Sequence, residues 1–206
     1  MIVPGPPQAF GLATSRDRAA PHGLFVAVVG PSGAGKDALI RGLSGRLGEA
    51  DGVFTVRRVV TRRADAFEDH ETLEESDFLL ARARGLFALS WAAHGLYYGV
   101  PSDVDARIAR GDAVVCNISR TVVADVRRRY ARSLVVLVTA RVETLAARLA
   151  ARGREGIEGR RERLGRALAH EADFAPDATI DNDGVLDEAV ARLYELVASH
   201  RRSDRH

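Results

Sequence analysis

A glycine-rich loop between an apolar run and a helical pattern constrains the fold of this chain most strongly. Residues 24–29 read LFVAVV, which is typical of a strand buried on both faces of a parallel sheet. The next residues, GPSGAGK, fit the pattern G-x-x-x-x-G-K, and helical spacing starts at Lys36. Glycines let successive backbone N–H groups point at one anion, and the positive end of the helix adds to the attraction. We therefore predict a phosphate loop formed by Gly30, Pro31, Ser32, Gly33, Ala34, Gly35 and Lys36.

The lysine of this loop has no counterpart elsewhere in the sequence. The chain has 30 basic residues of the Lys and Arg types, and Lys36 is the single lysine, so 29 are arginines. A compact ammonium that reaches between two phosphates is not replaceable by a planar guanidinium. We interpret Lys36 as a catalytic residue that bridges the phosphates of a bound nucleotide and follows the transferring charge.

Asp37 departs from the usual form of such loops, in which Ser or Thr follows the lysine and holds magnesium. A carboxylate oxygen is also a suitable ligand for this hard cation, either directly or through water. Asp in the first turn of a helix is favourable for another reason, because it interacts with the helix dipole. Two interpretations stay open: Asp37 binds a metal, or it only caps the helix.

Strand-like and helix-like segments alternate along the chain, which predicts an α/β fold with a parallel sheet and helices on both faces. Ligands of such sheets bind at the carboxyl ends of the strands, where the phosphate loop is placed. We predict one domain over residues 24–200, a flexible extension over 1–23 and a short tail over 201–206. The stretch 53–60 is predicted as one strand, and the irregular segment 58–100 as a small substrate-binding lobe.

Composition and charge exclude several other classes of protein. The formal net charge is +2, which requires no nucleic-acid partner, and no apolar run is long enough to span a membrane. The first residues are interrupted by Pro and Gly and do not resemble a signal peptide. The single cysteine, Cys116, lies in the apolar run AVVCNI, so we predict a buried thiol rather than a nucleophile. A cytoplasmic location is the expectation that follows.

From residue 24 to about residue 200 the chain resembles kinases of the guanylate kinase superfamily, and within it the ribose 1,5-bisphosphate phosphokinases. GPSGAGKDAL, with Asp after the lysine, is the stretch that favours the latter, together with ALSWAAHGLYYGV, VVCNISR, RGRE and DNDG. The resemblance implies a three-layer P-loop kinase fold, ATP and Mg²⁺ as cofactors, and a phosphorylated sugar as acceptor. It also implies the product 5-phosphoribosyl 1-diphosphate, and a pathway of phosphonate breakdown or of supply of that product.

Three base-reading or acidic positions of guanylate kinases are changed in this chain. Arg58 stands in place of a Ser that contacts guanine, and Ser90 in place of a Glu that binds the guanine edge. The acidic end of a D-x-D strand becomes Asn117-Ile118-Ser119. A pocket that has lost its acceptors for a base is not built for guanine. By position, Ser90 is nevertheless predicted to line the acceptor site.

The positions that bind the acceptor phosphate in those kinases are better preserved. Arg62 and Tyr98 match an arginine and a tyrosine of the family, and His70 stands where the family has a phosphate-contacting Tyr. A second family arginine falls on Asp65, so that contact is not carried over, although Arg63 is a candidate to replace it. The resemblance thus implies that phosphate binding is kept and base reading is lost.

An arginine-rich segment is placed like the mobile lid of these kinases. Arg152 and Arg163 are predicted to be catalytic, by swinging onto the transferring phosphoryl group and excluding water. For Arg154 and Arg160 a solvated helix surface is an equal alternative. Asn182 and Asp183 precede the last helix, where they either approach the adenine or cap the helix. Glu68 and Asp69 are candidates for contacts with ribose hydroxyls, with surface loop acids as the alternative.

Two rival functions stay open at this stage. One is another small-molecule kinase of the same fold, such as a guanylate kinase, against which Arg58, Ser90 and Asn117 argue. The other is a catalytically inactive kinase-like binding module, against which the retained Gly35-Lys36 argues. Whether the protein is a monomer or a homodimer is not indicated by the sequence.

Overall fold

The computed structural model describes residues 23–63, 69–151 and 174–202. Five parallel strands form the main sheet in the order β2-β7-β1-β8-β9, and a second sheet has the order β4-β3-β6-β5. The strands are β1 Leu24–Val29, β2 Val53–Thr55, β3 Arg58–Val60, β4 His70–Thr72, β5 Phe87–Ala93, β6 Leu96–Pro101, β7 Ala113–Asn117, β8 Ser133–Thr139 and β9 Ala178–Asp181. The helices are α1 Lys36–Ser44, α2 Glu75–Ala83, α3 Asp103–Ala109, α4 Val123–Arg129, α5 Val142–Ala151 and α6 Leu186–Arg202. The predicted α/β class is confirmed.

The central strand β1 is buried on both faces, as its unbroken apolar run predicts. Val26 and Val28 face a core that contains Leu39 of α1, Leu145 of α5 and Leu193 of α6. The residues between them, such as Phe25 and Ala27, face a second core with side chains of α3 and α4. Alternate residues of a strand point to opposite faces, so one apolar run serves two helical layers. These layers make the three-layer arrangement.

The prediction of one continuous strand over residues 53–60 is wrong. β2 pairs with β7 of the main sheet, and this pairing ends with the bond from the Val56 N–H to the Val115 carbonyl. β3 begins at Arg58 and pairs with β4 and β6 of the second sheet. The chain therefore changes sheets at Val56–Arg57, a tertiary event that apolar spacing does not record.

The segment predicted as an irregular lobe contains a regular sheet. β3 and β4 run parallel, whereas β3 with β6 and β5 with β6 are antiparallel. Helix α2 packs on it through Phe78, whose ring is stacked 4.6 Å from that of Phe87 and 5.7 Å from that of Tyr97. We call this sheet and α2 the small lobe. Its edge strand β4 had no clear signal in the sequence.

A two-residue turn sets the register of the hairpin formed by β5 and β6. His94 and Gly95 both have positive φ, of 53° and 72°, which is the backbone that favours tight hairpins. The turn pairs Trp91 with Tyr98 and Ser90 with Gly99. Paired residues share a face, so Trp91 lies beside Tyr98, while Ser90 lies on the opposite face of the hairpin.

The prediction that Cys116 is a buried thiol is confirmed. The residue is 0% exposed in β7, and burial raises the pKa of its thiol to about 12. A thiol with a raised pKa stays protonated below that value, and the thiolate is the reactive form. We expect the folded protein at pH 8 to react with an aromatic disulfide reagent at least about 100-fold more slowly than the urea-unfolded chain. Rapid labelling of one thiol in the folded protein would contradict this.

Several predicted features lie outside the described residues. They are most of the N-terminal extension, the arginine-rich lid and the last four residues of the tail. The final helix continues to Arg202, two residues beyond the predicted end of the domain. Within the ranges that the structure describes, no helix combines the length and the apolar character needed to cross a membrane.

Candidate active site

The phosphate loop connects the carboxyl end of β1 to the first residue of α1. Its turn is closed by a bond from the Ala34 N–H to the Pro31 carbonyl, at 3.3 Å. The Lys36 ammonium donates to the carbonyl oxygens of Gly30 and Pro31, at 2.8 and 2.9 Å. The loop thus folds around its own lysine, and the ammonium is held at the concave side where an anion would be bound.

Two glycines of the loop are required by its geometry. Gly30 has a φ of 146°, and a Cβ added there would lie 2.2 Å from the Val138 carbonyl oxygen. Gly35 has a φ of 87°, and its Cβ would lie 2.3 Å from Nδ2 of Asn182. Any larger residue would meet both an unfavourable backbone conformation and a steric clash. These contacts explain why the motif has glycine at its first and sixth positions.

The Asp37 carboxylate bonds to two other elements, and it is also the acid in the first turn of α1. Its Oδ1 accepts a hydrogen bond of 2.8 Å from Nδ2 of Asn117, at the end of β7. The same oxygen is 3.3 Å from Nη2 of Arg58, at the start of β3. The side chains of Asp37 and Arg58 are 19% and 10% exposed. A helix residue, the end of a main-sheet strand and the small lobe therefore meet at one carboxylate, and α1 has no side-chain capping bond.

The remaining oxygens of this cluster suit a hard divalent cation. A carboxylate only accepts hydrogen bonds, so the amide nitrogen of Asn117 must face Asp37 and its Oδ1 is the free end. Neither Asp37 Oδ2 nor Asn117 Oδ1 has a hydrogen-bond partner in the part of the chain that the structure describes. Magnesium is commonly held by one or two such protein oxygens together with phosphates and water. Residues 23–63, 69–151 and 174–202 contain no group of three His, Cys, Asp or Glu side chains suited to a metal.

Arg148 and Asn182 support the phosphate loop from the other side. Asn182 is 3% exposed and donates from Nδ2 to the Ala34 carbonyl at 2.7 Å. Arg148 of α5 donates to the carbonyl of Asn182 at 2.9 Å and lies 3.5 Å from that of Gly33. Asp183, the other residue of this pair in the sequence, bonds instead to Arg141. Asn182 thus contacts the loop itself, which neither of the earlier alternatives included.

Tyr98 and Arg58 are brought together on the small lobe. The guanidinium carbon of Arg58 lies 5.8 Å from the centre of the Tyr98 ring, a cation–π distance. Trp91 stacks on the Tyr98 ring itself, with centroids 5.4 Å apart and planes inclined by 5°. Arg58 and its neighbour Arg57 line a cleft together with Asp37 and Asn117, and the Tyr98 ring adjoins Arg58.

His70 lies beneath this surface rather than on it. The ring is 2% exposed, and its Nε2 lies 2.9 Å from the carbonyl oxygen of Arg62. A carbonyl only accepts, so Nε2 carries the proton and donates it. Thr72 donates to the same carbonyl at 3.1 Å. His70 therefore fixes the backbone of Arg62, and direct contact of either side chain with a phosphate stays a prediction.

The other predicted site residues are not assembled with these groups. Ser90 lies on the face of the hairpin opposite to Tyr98, and its hydroxyl makes no hydrogen bond within the described ranges. Asp69 forms an exposed ion pair with Arg57 at 2.8 Å, as expected of a surface loop acid. Arg63 is exposed. The remaining predicted residues lie outside the described part of the chain: Asp65, Glu68, Arg152, Arg154, Arg160 and Arg163.

Comparison with known proteins gives the family. The ribose 1,5-bisphosphate phosphokinase PhnN of Brucella abortus is 46% identical over 178 residues, which are 85% of this chain and 93% of that protein. The protein of the same name from Methylobacterium radiotolerans is 49% identical over 172 residues, 83% of this chain and 95% of that one. This chain belongs to the ribose 1,5-bisphosphate phosphokinase family. No family model matches it.

The fold comparison agrees with this membership. Guanylate kinase from Anaplasma phagocytophilum has a TM-score of 0.68 with 16% identity, over 90% of this chain and 89% of that chain. At this identity the likeness concerns the fold alone, and it confirms the P-loop kinase architecture. The resemblance to ribose 1,5-bisphosphate phosphokinases that the sequence motifs indicated is confirmed, and with it the interpretation of the chain as an enzyme.

Sequence reasoning missed the meeting of Arg58 and Asn117 with Asp37. Both residues were interpreted as losses from a base-reading pocket. Two changes in the sequence could have indicated this contact. An acid follows the lysine, at Asp37, and the acidic end of the D-x-D strand becomes Asn117. The carboxylate lost at residue 117 is thus matched by one on an element that meets it in space, while the second acid of the D-x-D pattern becomes Ser119.

Proposed function

We propose that this protein transfers the γ-phosphoryl group of ATP to ribose 1,5-bisphosphate, giving 5-phosphoribosyl 1-diphosphate and ADP. The observation that carries the proposal is the identity of 46–49% over more than four fifths of the chain with proteins of that name. The phosphate loop around Lys36 is consistent with a nucleotide as donor. ATP as that nucleotide, and Mg²⁺ as its companion, belong to the proposal.

The donor site is assigned to the phosphate loop. Backbone N–H groups of residues 32–35 would surround the nucleotide phosphates, and the Lys36 ammonium would exchange the carbonyl oxygens of Gly30 and Pro31 for phosphate oxygens. Asp37 and Asn117 would hold Mg²⁺ through their open oxygens. When bound, this ion supplies positive charge that offsets the repulsion between the phosphates of donor and acceptor.

The acceptor is assigned to the space between the phosphate loop and the small lobe, next to the cleft that Asp37, Arg58 and Asn117 line. An acceptor phosphate is already ionised near neutral pH, so the nucleophilic oxygen needs no general base. Catalysis then consists of holding two anionic groups in line and neutralising the charge between them. Arg62 and Tyr98 are the proposed phosphate contacts, with His70 holding the backbone of Arg62. Ser90 stays a weaker candidate, and Arg152 and Arg163 are proposed to close over the reacting groups.

The proposal is tested by following phosphorus resonances with purified protein, ATP and Mg²⁺. With ribose 1,5-bisphosphate we expect a new pair of diphosphate signals on the sugar and an equal amount of ADP. With GMP in its place we expect no GDP. Conversion of GMP without conversion of the sugar would assign a guanylate kinase, and no turnover with either acceptor would favour an inactive binding module.

A further inference from the structure

Arg58 is a side chain through which the small lobe contacts helix α1. It begins β3, in the small lobe, and is 8% exposed as a residue. Its Nη2 donates to Oδ1 of Asp37, the second residue of α1, at 3.3 Å. Its guanidinium also lies 5.8 Å from the centre of the Tyr98 ring. One buried positive charge therefore lies between the proposed metal ligand and the proposed acceptor surface.

A divalent cation and Arg58 compete for the same carboxylate. A metal ligated by Asp37 lies about 2.0–2.1 Å from a carboxylate oxygen. Nη2 of Arg58 lies 3.3 Å from Oδ1 of Asp37, so a metal at that position would be only a few ångströms from the Arg58 guanidinium. Arginine cannot give up its proton in a protein, so the repulsion is not relieved by a change of ionisation. The guanidinium needs another anion when the cation binds.

The surroundings of Arg58 offer few alternatives to Asp37. Of its five N–H donors, one bond to Asp37 accounts for its hydrogen bonding within the described ranges. The other acid that lines the cleft, Asp69, is paired with Arg57 at 2.8 Å. No polar atom of Arg58 is among the fully enclosed atoms without a partner, and Arg58 lines the cleft. An anion that enters this cleft is the available substitute.

We propose that Arg58 exchanges Asp37 for a phosphate of the acceptor when the cation binds, and that it thereby couples metal binding to acceptor binding. The inference rests on the proposed function and names a specificity residue for it. A sugar bisphosphate presents a second phosphate besides the reacting one, and the planar guanidinium matches such a group in a bidentate manner. A nucleoside monophosphate has no second anion to compensate the buried charge.

The two halves of this exchange predict effects of opposite sign in one variant. In Arg58→Gln, Mn²⁺ binding in the presence of ADP is expected to tighten about 3- to 10-fold, because the competing charge at Asp37 is gone. Binding of ribose 1,5-bisphosphate to the complex with Mn²⁺ and ADP is expected to weaken at least about 10-fold. Electron paramagnetic resonance of free Mn²⁺ measures the first affinity, and titration calorimetry measures the second.

The matched control is Arg57→Gln. Arg57 adjoins Arg58 and lines the same cleft, but its half-exposed side chain pairs with Asp69 and donates to the His70 carbonyl at 3.3 Å instead of bonding to Asp37. Both affinities are expected to stay within about twofold of the wild type, since exposed ion pairs contribute little. Arg58→Lys serves as a second variant that keeps the charge, and its Mn²⁺ affinity is expected to remain near that of the wild type. Thermal melting establishes that each variant is folded.

The outcomes separate this proposal from the proposed function. If wild-type protein does not bind ribose 1,5-bisphosphate, the proposed function fails and the coupling fails with it. If the wild type binds the sugar but Arg58→Gln weakens both affinities, Arg58 is a structural support and the coupling is overturned. Unchanged sugar affinity in Arg58→Gln, or the same changes in Arg57→Gln, would also overturn it.

Discussion

Replacement of Lys36 by methionine is expected to lower the rate of phosphoryl transfer by about 10³-fold or more, with little change in the stability of the fold. Methionine keeps the length of an unbranched side chain but has no charge to follow the phosphoryl group in the transition state. The contacts that would be lost include two bonds to carbonyl oxygens of the flanking loop. Single-turnover formation of ADP with ribose 1,5-bisphosphate measures the rate, and urea unfolding measures the stability.

The control for this prediction is Lys36→Arg, which retains the positive charge. The loop closes tightly around an ammonium, with carbonyl oxygens at 2.8 and 2.9 Å, and a planar guanidinium is wider and binds through a fixed fork. We expect Lys36→Arg to recover less than about a tenth of the lost rate, because the position of the charge matters as well as its presence. Undiminished transfer in Lys36→Met would remove the basis for the proposed catalytic site.

The second large effect is expected at the proposed metal site, when its carboxylate is removed from α1 and then restored at the end of β7. Asp37→Ser removes the acid from α1 and is expected to reduce turnover at least about 100-fold and to raise the Mg²⁺ concentration needed for half-maximal rate. The double variant Asp37→Ser with Asn117→Asp restores one carboxylate at the end of β7. We expect it to recover at least about 10-fold of that loss, since Asn117 lies 2.8 Å from the original carboxylate.

The Mg²⁺ dependence of the rate distinguishes the metal role from a structural one. If Asp37 only anchored Arg58, the single variant would lose activity at every Mg²⁺ concentration, and added metal would not restore it. The control is the single variant Asn117→Asp, which puts a second carboxylate next to that of Asp37. Nη2 of Arg58 lies 3.3 Å from Oδ1 of Asp37 and is therefore close to both acids. Failure of the double variant to recover any activity, with both variants folded, would contradict the assignment of these two oxygens to one cation.

The sequence was sufficient for the phosphate loop because that site is local. A strand, six loop residues and the first turn of a helix follow one another in the chain, and glycine is required by the backbone at residues 30 and 35. The parallel sheet was predictable for a similar reason, since a strand buried on both faces has to be apolar at every position. The resemblance of these motifs to one kinase family also came from contiguous residues.

The acceptor side was less accessible, because its contacts join residues that are distant in the chain. Arg58 and Asn117 lie 21 and 80 positions from Asp37 in the sequence. In the sequence they look like lost contacts to a base, and only the folded structure shows that both side chains bond to the Asp37 carboxylate. In the hairpin of β5 and β6, a two-residue turn decides which of Ser90 and Trp91 shares a face with Tyr98. A shift of one residue reverses the faces of a strand, and side-chain types alone do not reveal the register.

What the sequence by itself determined is therefore the anion-binding loop, its single lysine and the α/β layering, since each depends on neighbouring residues and their backbone requirements. The tertiary structure decided the environment of Asp37, the burial of His70 under Arg62 and the side of the small lobe that faces the cleft. The physical reason is that charge pairing and strand register are set by distances between elements, and those distances exist only after the chain has folded.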